Sequence, residues 1–159
     1  QYEEISSEHA RSGKPVFQVL QDFGVLDAES ILQVMADHLA ADVLVSVTPD
    51  IAIHALVTAE SLRDLGLVAG RDVILLIKAP FVIIAPGHEA MNVSVRNRIP
   101  GVISRCDLGT VNAEVVLDIG GGKSLAATIT ARSAQTLDLK PGDAATALFD
   151  EGHVIIAID

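Results

Sequence analysis

From residue 41 onward the chain alternates apolar and polar positions with the period of β-strands. Val43 to Val47 and Val115 to Ile119 alternate in this way, and each run leads through a turn, TPD or GGG, into a second strand that ends in Thr. A short helical stretch comes next, then a GL-x-x-G or DL-x-P-G turn, and then two β-branched runs that predict a hairpin. The same order of elements is therefore predicted twice.

The two copies of this pattern are a duplication. Sliding the chain by 72 positions places residues 41–85 on 113–157 without a gap, and fourteen of the 45 pairs are identical. An extra strand from Gly101 to Arg105 precedes the second copy. We predict a truncated first repeat at 41–87 and a complete second repeat at 92–159. Identical pairs used below are Thr58 with Thr130 and Ser61 with Ser133.

The first 40 residues have the character of helices. The stretch "YEEISSEHARSG" predicts a helix that ends at Gly13 and Pro15. In "LDAESILQVMADHLA", Asp27 is a plausible N-cap, and the apolar side chains of one face follow in good helix formers. These are Ile31, Leu32, Met35 and Leu39. We interpret residues 1–40 as an acidic helical linker or dimerisation segment that connects to an upstream domain.

Composition narrows the function classes. Half of the chain is apolar, but only 3% is aromatic and Trp is absent, which favours a β-branched core and disfavours base-stacking surfaces. The net charge is -10 and no segment is basic, so direct DNA or anionic-membrane binding is not expected. A lone Cys106 indicates a reducing, cytoplasmic compartment, and no apolar run is long enough to span a membrane.

The usual enzyme and metal patterns are missing from the sequence. The five histidines are scattered without ligand spacing, and no nucleophile elbow or paired catalytic carboxylates occur. "GGGKS" lacks the glycine spacing of a phosphate-binding loop, and a β-pattern follows it where a helix is needed, so Gly120 to Ser124 is predicted to be a hairpin turn. We therefore expect a binding protein without catalytic activity.

Thr58 and Ser61 stand at a strand-to-helix junction, as do Thr130 and Ser133 in the second repeat. The simpler interpretation is helix capping, with Thr at the N-cap and Ser three residues later. A capped helix start also presents N–H groups to anions. Lys78, at the tip of the predicted hairpin, and Arg96 add the charged donors that a desolvated dianion needs.

Four stretches resemble the molybdate-binding Mop or TOBE family over residues 41–159. They are "SVRNRIPGVIS", close to an opening "SARNQLPG" pattern, "NAEVVLDIGGG", "LKPGD" and "LLIKAPFV". The resemblance implies a mainly β fold of tandem OB-like Mop/TOBE β-barrels with short helices, here preceded by an N-terminal helical segment. In this family a molybdate or tungstate oxyanion lies between neighbouring barrels, with no metal cation or organic cofactor.

The resemblance also implies the anion ligands. By motif they fall on Thr58, Ser61, Lys78, Ala79, Ser94, Arg96 and Asn97, with Thr130 and Ser133 as the alternative hydroxyl pair. Two departures matter: no "SARN" equivalent precedes the first repeat, and Asp150 and Glu151 stand at the Lys-Ala positions of the second, where their charges repel an oxyanion. Neither repeat has a full ligand set, so we expect a composite site across a repeat interface, within the chain or between subunits.

The helical lead-in resembles the linker of molybdenum-responsive transcription regulators. The resemblance therefore implies an effector domain whose barrel packing changes on oxyanion binding, with DNA bound only through an upstream domain absent from this chain. A cytoplasmic molybdate storage or homeostasis protein is the alternative, as is an interaction module that has lost its ligand. A homodimer or higher homo-oligomer is expected in every case, because a barrel unit this small buries little surface alone.

Overall fold

A computed structural model of the protein describes residues 2–25, 30, 40–88 and 92–159. It begins with helix α1, Tyr2–Ser12, which ends at Gly13 with a left-handed φ of 67°. A second helix that the sequence did not predict, α2 at Val16–Asp22, follows and packs on α1. The helix predicted from Asp27 to Leu39 lies outside the described residues except for Ser30, which is helical.

Each repeat contains a strand pair, a short helix and two further strands. The first repeat comprises β1 Ala40–Thr48, β2 Ile51–Thr58, α3 Ala59–Asp64, β3 Ile74–Ile77, a 3-10 helix Ala79–Phe81 and β4 Ile83–Pro86. The second comprises β5 Asn97–Leu108, β6 Asn112–Gly120, β7 Lys123–Thr130, α4 Ala131–Thr136, β8 Ala144–Phe149, a 3-10 helix Glu151–His153 and β9 Val154–Ala157. The mainly β fold class is confirmed.

The first strand pair of each repeat is an antiparallel hairpin, as predicted. β1 pairs with β2 and β6 with β7, and both hairpins have an irregularity at the same repeat position, between Ser46 and Thr48 and between Asp118 and Gly120. The glycines of "GGGKS" make the β6–β7 turn, and all three adopt positive φ. Only glycine enters that region without strain, so the hairpin-turn interpretation is confirmed.

The predicted terminal hairpins were wrong, because the two repeats exchange these strands. β3 pairs with β9 and β4 pairs with β8, both antiparallel, and β3 and β4 do not pair with each other. The 3-10 helix between them, which contains Pro80, is too long to be a tight hairpin turn and directs the two strands apart. Lys78 and Ala79 therefore lie in a crossover between sheets and not at a hairpin tip.

The exchange obeys the repeat symmetry. Ile74 pairs with Ala157, and their equivalents 72 positions away, Thr146 and Ala85, also pair. The 3-10 helices meet where Phe81 stacks on His153, with ring centroids 4.3 Å apart, and these residues are repeat equivalents as well. The two repeats are thus related by an approximate two-fold symmetry, and equivalent residues meet at this stack.

One hydrophobic core serves both repeats. Fully buried side chains come from the second repeat, such as Phe149, Ile103 and Val115, and pack in the same cluster as Ile53 and Val82 of the first. Since neither repeat encloses a core alone, the two form one folding unit.

The extra strand β5 lies between β6 and β8 in a five-stranded sheet of order β4-β8-β5-β6-β7. It is longer than the predicted Gly101 to Arg105. The corresponding position in the first repeat lies between β1 and β3, where no described strand is paired. A cleft of about 590 Å³ runs there, lined by Asp42 to Ser46 on one side and Val68 to Val73 on the other.

No helix in the described part of the chain is long and apolar enough to cross a membrane.

Candidate oxyanion site

The two hydroxyl pairs are helix caps, as predicted. Thr58 Oγ1 accepts a hydrogen bond from the main-chain N–H of Ser61 at 3.0 Å and donates to Ser61 Oγ at 2.9 Å. Thr130 and Ser133 repeat the arrangement, with the same 3.0 Å main-chain bond and 2.7 Å between the hydroxyl oxygens. Capping and ligand binding are compatible here, because the bond between the two hydroxyls uses one hydroxyl hydrogen of each pair and leaves the other to donate to an anion. Both Thr side chains are exposed.

Arg96 lies at the centre of a charged group formed with residues of both repeats. Its Nη2 donates to Asp42 Oδ2 at 2.6 Å, and its Nη1 lies 3.7 Å from Glu151 Oε1. The other carboxylate oxygen of Asp42 lies 3.2 Å from Nδ1 of His54. The guanidinium therefore has carboxylates on two sides, one from β1 and one from the second 3-10 helix.

The ion pair shifts the pKa of Asp42 and of Arg96 in the directions that favour their charged forms. The hydrogen bond from Arg96, followed by that from His54, holds the pKa of Asp42 below its ordinary value of 3.8. The same hydrogen bond to Asp42 raises the pKa of Arg96 further above its ordinary range. Both residues are accordingly charged at neutral pH.

Asn97 fixes the level of Arg96 along the strands. Its side chain is 1% exposed, its Oδ1 accepts from the main-chain N–H of His54 at 2.8 Å, and its Nδ2 donates to the carbonyl of His54 at 2.9 Å. The amide thus ties the start of β5 to the middle of β2. Asn97 is engaged in this clamp, while Ser94 is exposed with no hydrogen bond recorded among the described residues.

Lys78 and Ala79 form the start of the first 3-10 helix, where the carbonyl of Lys78 accepts from the N–H of Phe81 at 2.9 Å. This helix packs against β7, whereas the second 3-10 helix packs against β2. Lys78 is exposed, and within the described residues its ammonium group has no ion pair. It is a cation available to an external anion.

A single chain does not bring all of these residues together. Arg96 is held at the level of His54, and Thr58 follows four residues along β2, about 13 Å at roughly 3.3 Å per residue. The ion pairs of Arg96 are with Asp42 and Glu151, and no contact to Lys78 is found in the part of the chain that the structure describes. The residues predicted to form a composite site therefore do not all converge within the described part of one chain.

Sequence reasoning missed the partners of Arg96. It treated Asp150 and Glu151 as a defect in the ligand set and gave Asp42 and His54 no role. One signal was present: the repeat equivalent of Asp42 is Glu114, which also pairs with an arginine, Arg105. An acid at the same position of both repeats is consistent with a shared role.

A metal site is not seen in the described residues, which contain no group of three or more side chains that could hold a metal ion.

The family is settled by sequence and fold together. The profile of the TOBE domain matches residues 31–84 and again 93–156. The chain belongs to the TOBE domain family. The cytoplasmic molybdate-binding protein ModG, solved with molybdate bound, has the same fold, with a TM-score of 0.72 and 33% identity over 76% of this chain and 86% of that one.

Curated relatives extend the likeness. The molybdenum-pterin-binding protein MopA of Rhodobacter capsulatus is 39% identical over 129 residues, 81% of this chain and 49% of its own length. The DNA-binding transcriptional dual regulator ModE of Escherichia coli K12 is 38% identical over 101 residues, 64% of this chain and 37% of its own. The chain thus spans half or less of the length of these relatives.

Proposed function

We propose that this TOBE protein binds molybdate or tungstate as a cytoplasmic oxyanion-binding protein of molybdenum homeostasis. The observation that carries the proposal is the agreement in fold with molybdate-bound ModG, joined to free or exposed donors of the kind an oxyanion needs. The proposed ligands are Thr58, Ser61, Lys78, Ala79, Ser94 and Arg96, with Thr130 and Ser133 as the second hydroxyl pair. Asn97 enters as the residue that positions Arg96.

We infer that the site is completed between copies of the chain. Lys78 precedes the 3-10 helix that packs against β7, whereas Arg96 lies beside Glu151 of the 3-10 helix that packs against β2. The two hydroxyl pairs begin at the last residues of β2 and β7. A tetrahedral oxyanion accepts hydrogen bonds only from donors within about 3 Å of its oxygens. A homo-oligomer in which Lys78 of one copy meets Arg96 of another satisfies this requirement, and it needs no metal cation or organic cofactor.

Storage or buffering has more support than an effector role. ModG, described as a molybdate-binding protein, is matched over 86% of its length, whereas ModE is matched over 37%. The effector role nevertheless has one observation in its favour, the helices α1 and α2 ahead of the barrel. A regulator requires that oxyanion binding alter these helices, since a ligand shifts an equilibrium only through differential affinity.

Isothermal titration with sodium molybdate, tungstate and sulfate tests the proposal. The wild-type chain is expected to bind the first two, and Lys78→Ala to bind them about tenfold to a hundredfold more weakly, the range for loss of a charge-assisted hydrogen bond. Lys123→Ala, at an exposed lysine that begins β7, is the matched control. Equal affinity in wild type and Lys78→Ala would exclude the assigned site.

Hydrogen exchange during the same titration separates the two biological roles. Storage predicts that protection of the amides in α1 and α2 is the same with and without molybdate. A change in that protection at saturating molybdate would favour the effector role instead.

A further inference from the structure

We propose that the carboxylate of Glu151 is an internal competitor that holds Arg96 in the place a bound oxyanion takes. The inference rests on the proposed function and concerns its regulation. Binding of molybdate or tungstate at Arg96 then requires that Glu151 be displaced. In the unliganded chain Arg96 is thereby paired with a carboxylate of the second repeat in place of the oxyanion.

The Glu151 side chain is held mainly by its charge interaction with Arg96. One oxygen faces Nη1 of Arg96 at 3.7 Å, too long for a hydrogen bond, and the side chain is only 17% exposed. Its other oxygen, Oε2, is buried and has no hydrogen-bond partner in the described part of the protein. A buried carboxylate oxygen without a partner costs free energy, so this contact is well suited to exchange for an anion that is better satisfied.

The repeat comparison shows that the turn itself does not require an acid. Glu151 is the equivalent of Ala79, and Asp150 is the equivalent of Lys78. Both segments form the same three-residue 3-10 helix with the same extended residue before it. Backbone conformation therefore does not explain Glu151, whereas the position of its carboxylate beside Arg96 does.

Asp42 has a different role at the same guanidinium. Its 2.6 Å hydrogen bond engages Nη2 and orients the group, while His54 holds the other Asp42 oxygen. An arginine has five N–H donors, so those on the side of Glu151 stay available to an oxyanion after the Asp42 bond is made. Among the described residues, Glu151 provides the carboxylate that faces Nη1.

Titration of Glu151→Ala with sodium molybdate tests the competition. Removal of the acid is expected to tighten binding about fivefold, the effect of one unit charge at about 4 Å in water, and the gain should shrink as salt screens the charge. Glu151→Gln is also expected to tighten molybdate binding. Because it keeps the side-chain volume, it separates the loss of charge from a change in packing. In the Arg96→Ala/Glu151→Ala double variant the gain over Arg96→Ala should be absent.

Glu114→Ala is the matched control, because it removes a carboxylate from the Arg105 ion pair of the same repeat. Its affinity should equal that of the wild type. If the wild type binds molybdate and both Glu151 variants bind it equally well, the competitor is excluded while the proposed function stands. A gain that persists without Arg96 also overturns the competitor, and absence of binding in every variant overturns both proposals.

Discussion

At the scale of single residues, Asn97 connects the two repeats at the place where chemistry is proposed. Its polar side chain is buried in the core, and both of its side-chain hydrogen bonds go to the main chain of His54. Buried amides are usually paired in this complementary way, because an unpaired one is costly. This residue of the family-like motif thus has a structural role, because it fixes Arg96 beside β2.

Asn97→Ala should destabilise the fold as well as weaken oxyanion binding. The substitution leaves the N–H and C=O of His54 without partners, which costs roughly 1–3 kcal/mol of unfolding free energy. Urea denaturation followed by circular dichroism measures the change. The exposed Asn92→Ala, in the same segment, is the control and should unfold like the wild type. Equal stability of the two variants would mean that the clamp contributes nothing.

At the scale of elements, the duplication was readable from the sequence but the strand exchange was not. Alternation of apolar positions located β1, β2, β6 and β7, and the Thr and Ser spacing located both helix caps, because these features depend on local chemistry. The pairing of β3 with β9 depends on which distant strand is available. A hairpin and an exchanged pair have the same local pattern, so no sequence signal distinguished them.

The exchange predicts that the second repeat does not fold as a monomer. Residues 92–159 alone lack β3 and β4, which leaves β9 unpaired and one edge of β8 exposed. Any folded form of this fragment should be a dimer that exchanges β8 and β9 with its copy. Sedimentation equilibrium of the fragment, together with its thermal unfolding by circular dichroism, measures this. A cooperative, monomeric fragment would contradict the interlocked fold.

The candidate site was predictable only in part, for an electrostatic reason. The hydroxyl pairs cap the two short helices as the motifs predicted, whereas Lys78 lies in a crossover between sheets and not at the predicted hairpin tip. Arg96 forms ion pairs with Asp42 and Glu151, which are 54 residues before it and 55 after it in sequence. Only the fold brings these charges together. Ion pairs of this kind follow tertiary position and have no short-range pattern.

At the scale of the whole molecule, the described part of one acidic chain does not unite the proposed oxyanion ligands. The net charge of -10 opposes anion binding at a distance, so affinity must come from donors that converge closely. Lys78 is provided by the first repeat and Arg96 by the second. Under the proposed function, association of copies is part of oxyanion binding, since it joins the proposed ligands of two chains.

Complementation between two binding-defective chains tests this account most directly. Lys78→Ala and Arg96→Ala are each expected to lose high-affinity molybdate binding as homo-oligomers. When the two are unfolded, mixed in equal amounts and refolded, a site formed between copies should reappear at about a quarter of the wild-type number, because random assembly unites an intact lysine with an intact arginine that often. Equilibrium dialysis measures the bound molybdenum per chain. Recovery near that fraction is the predicted result, whereas mixtures that bind no more than the separate variants would contradict a site shared between copies.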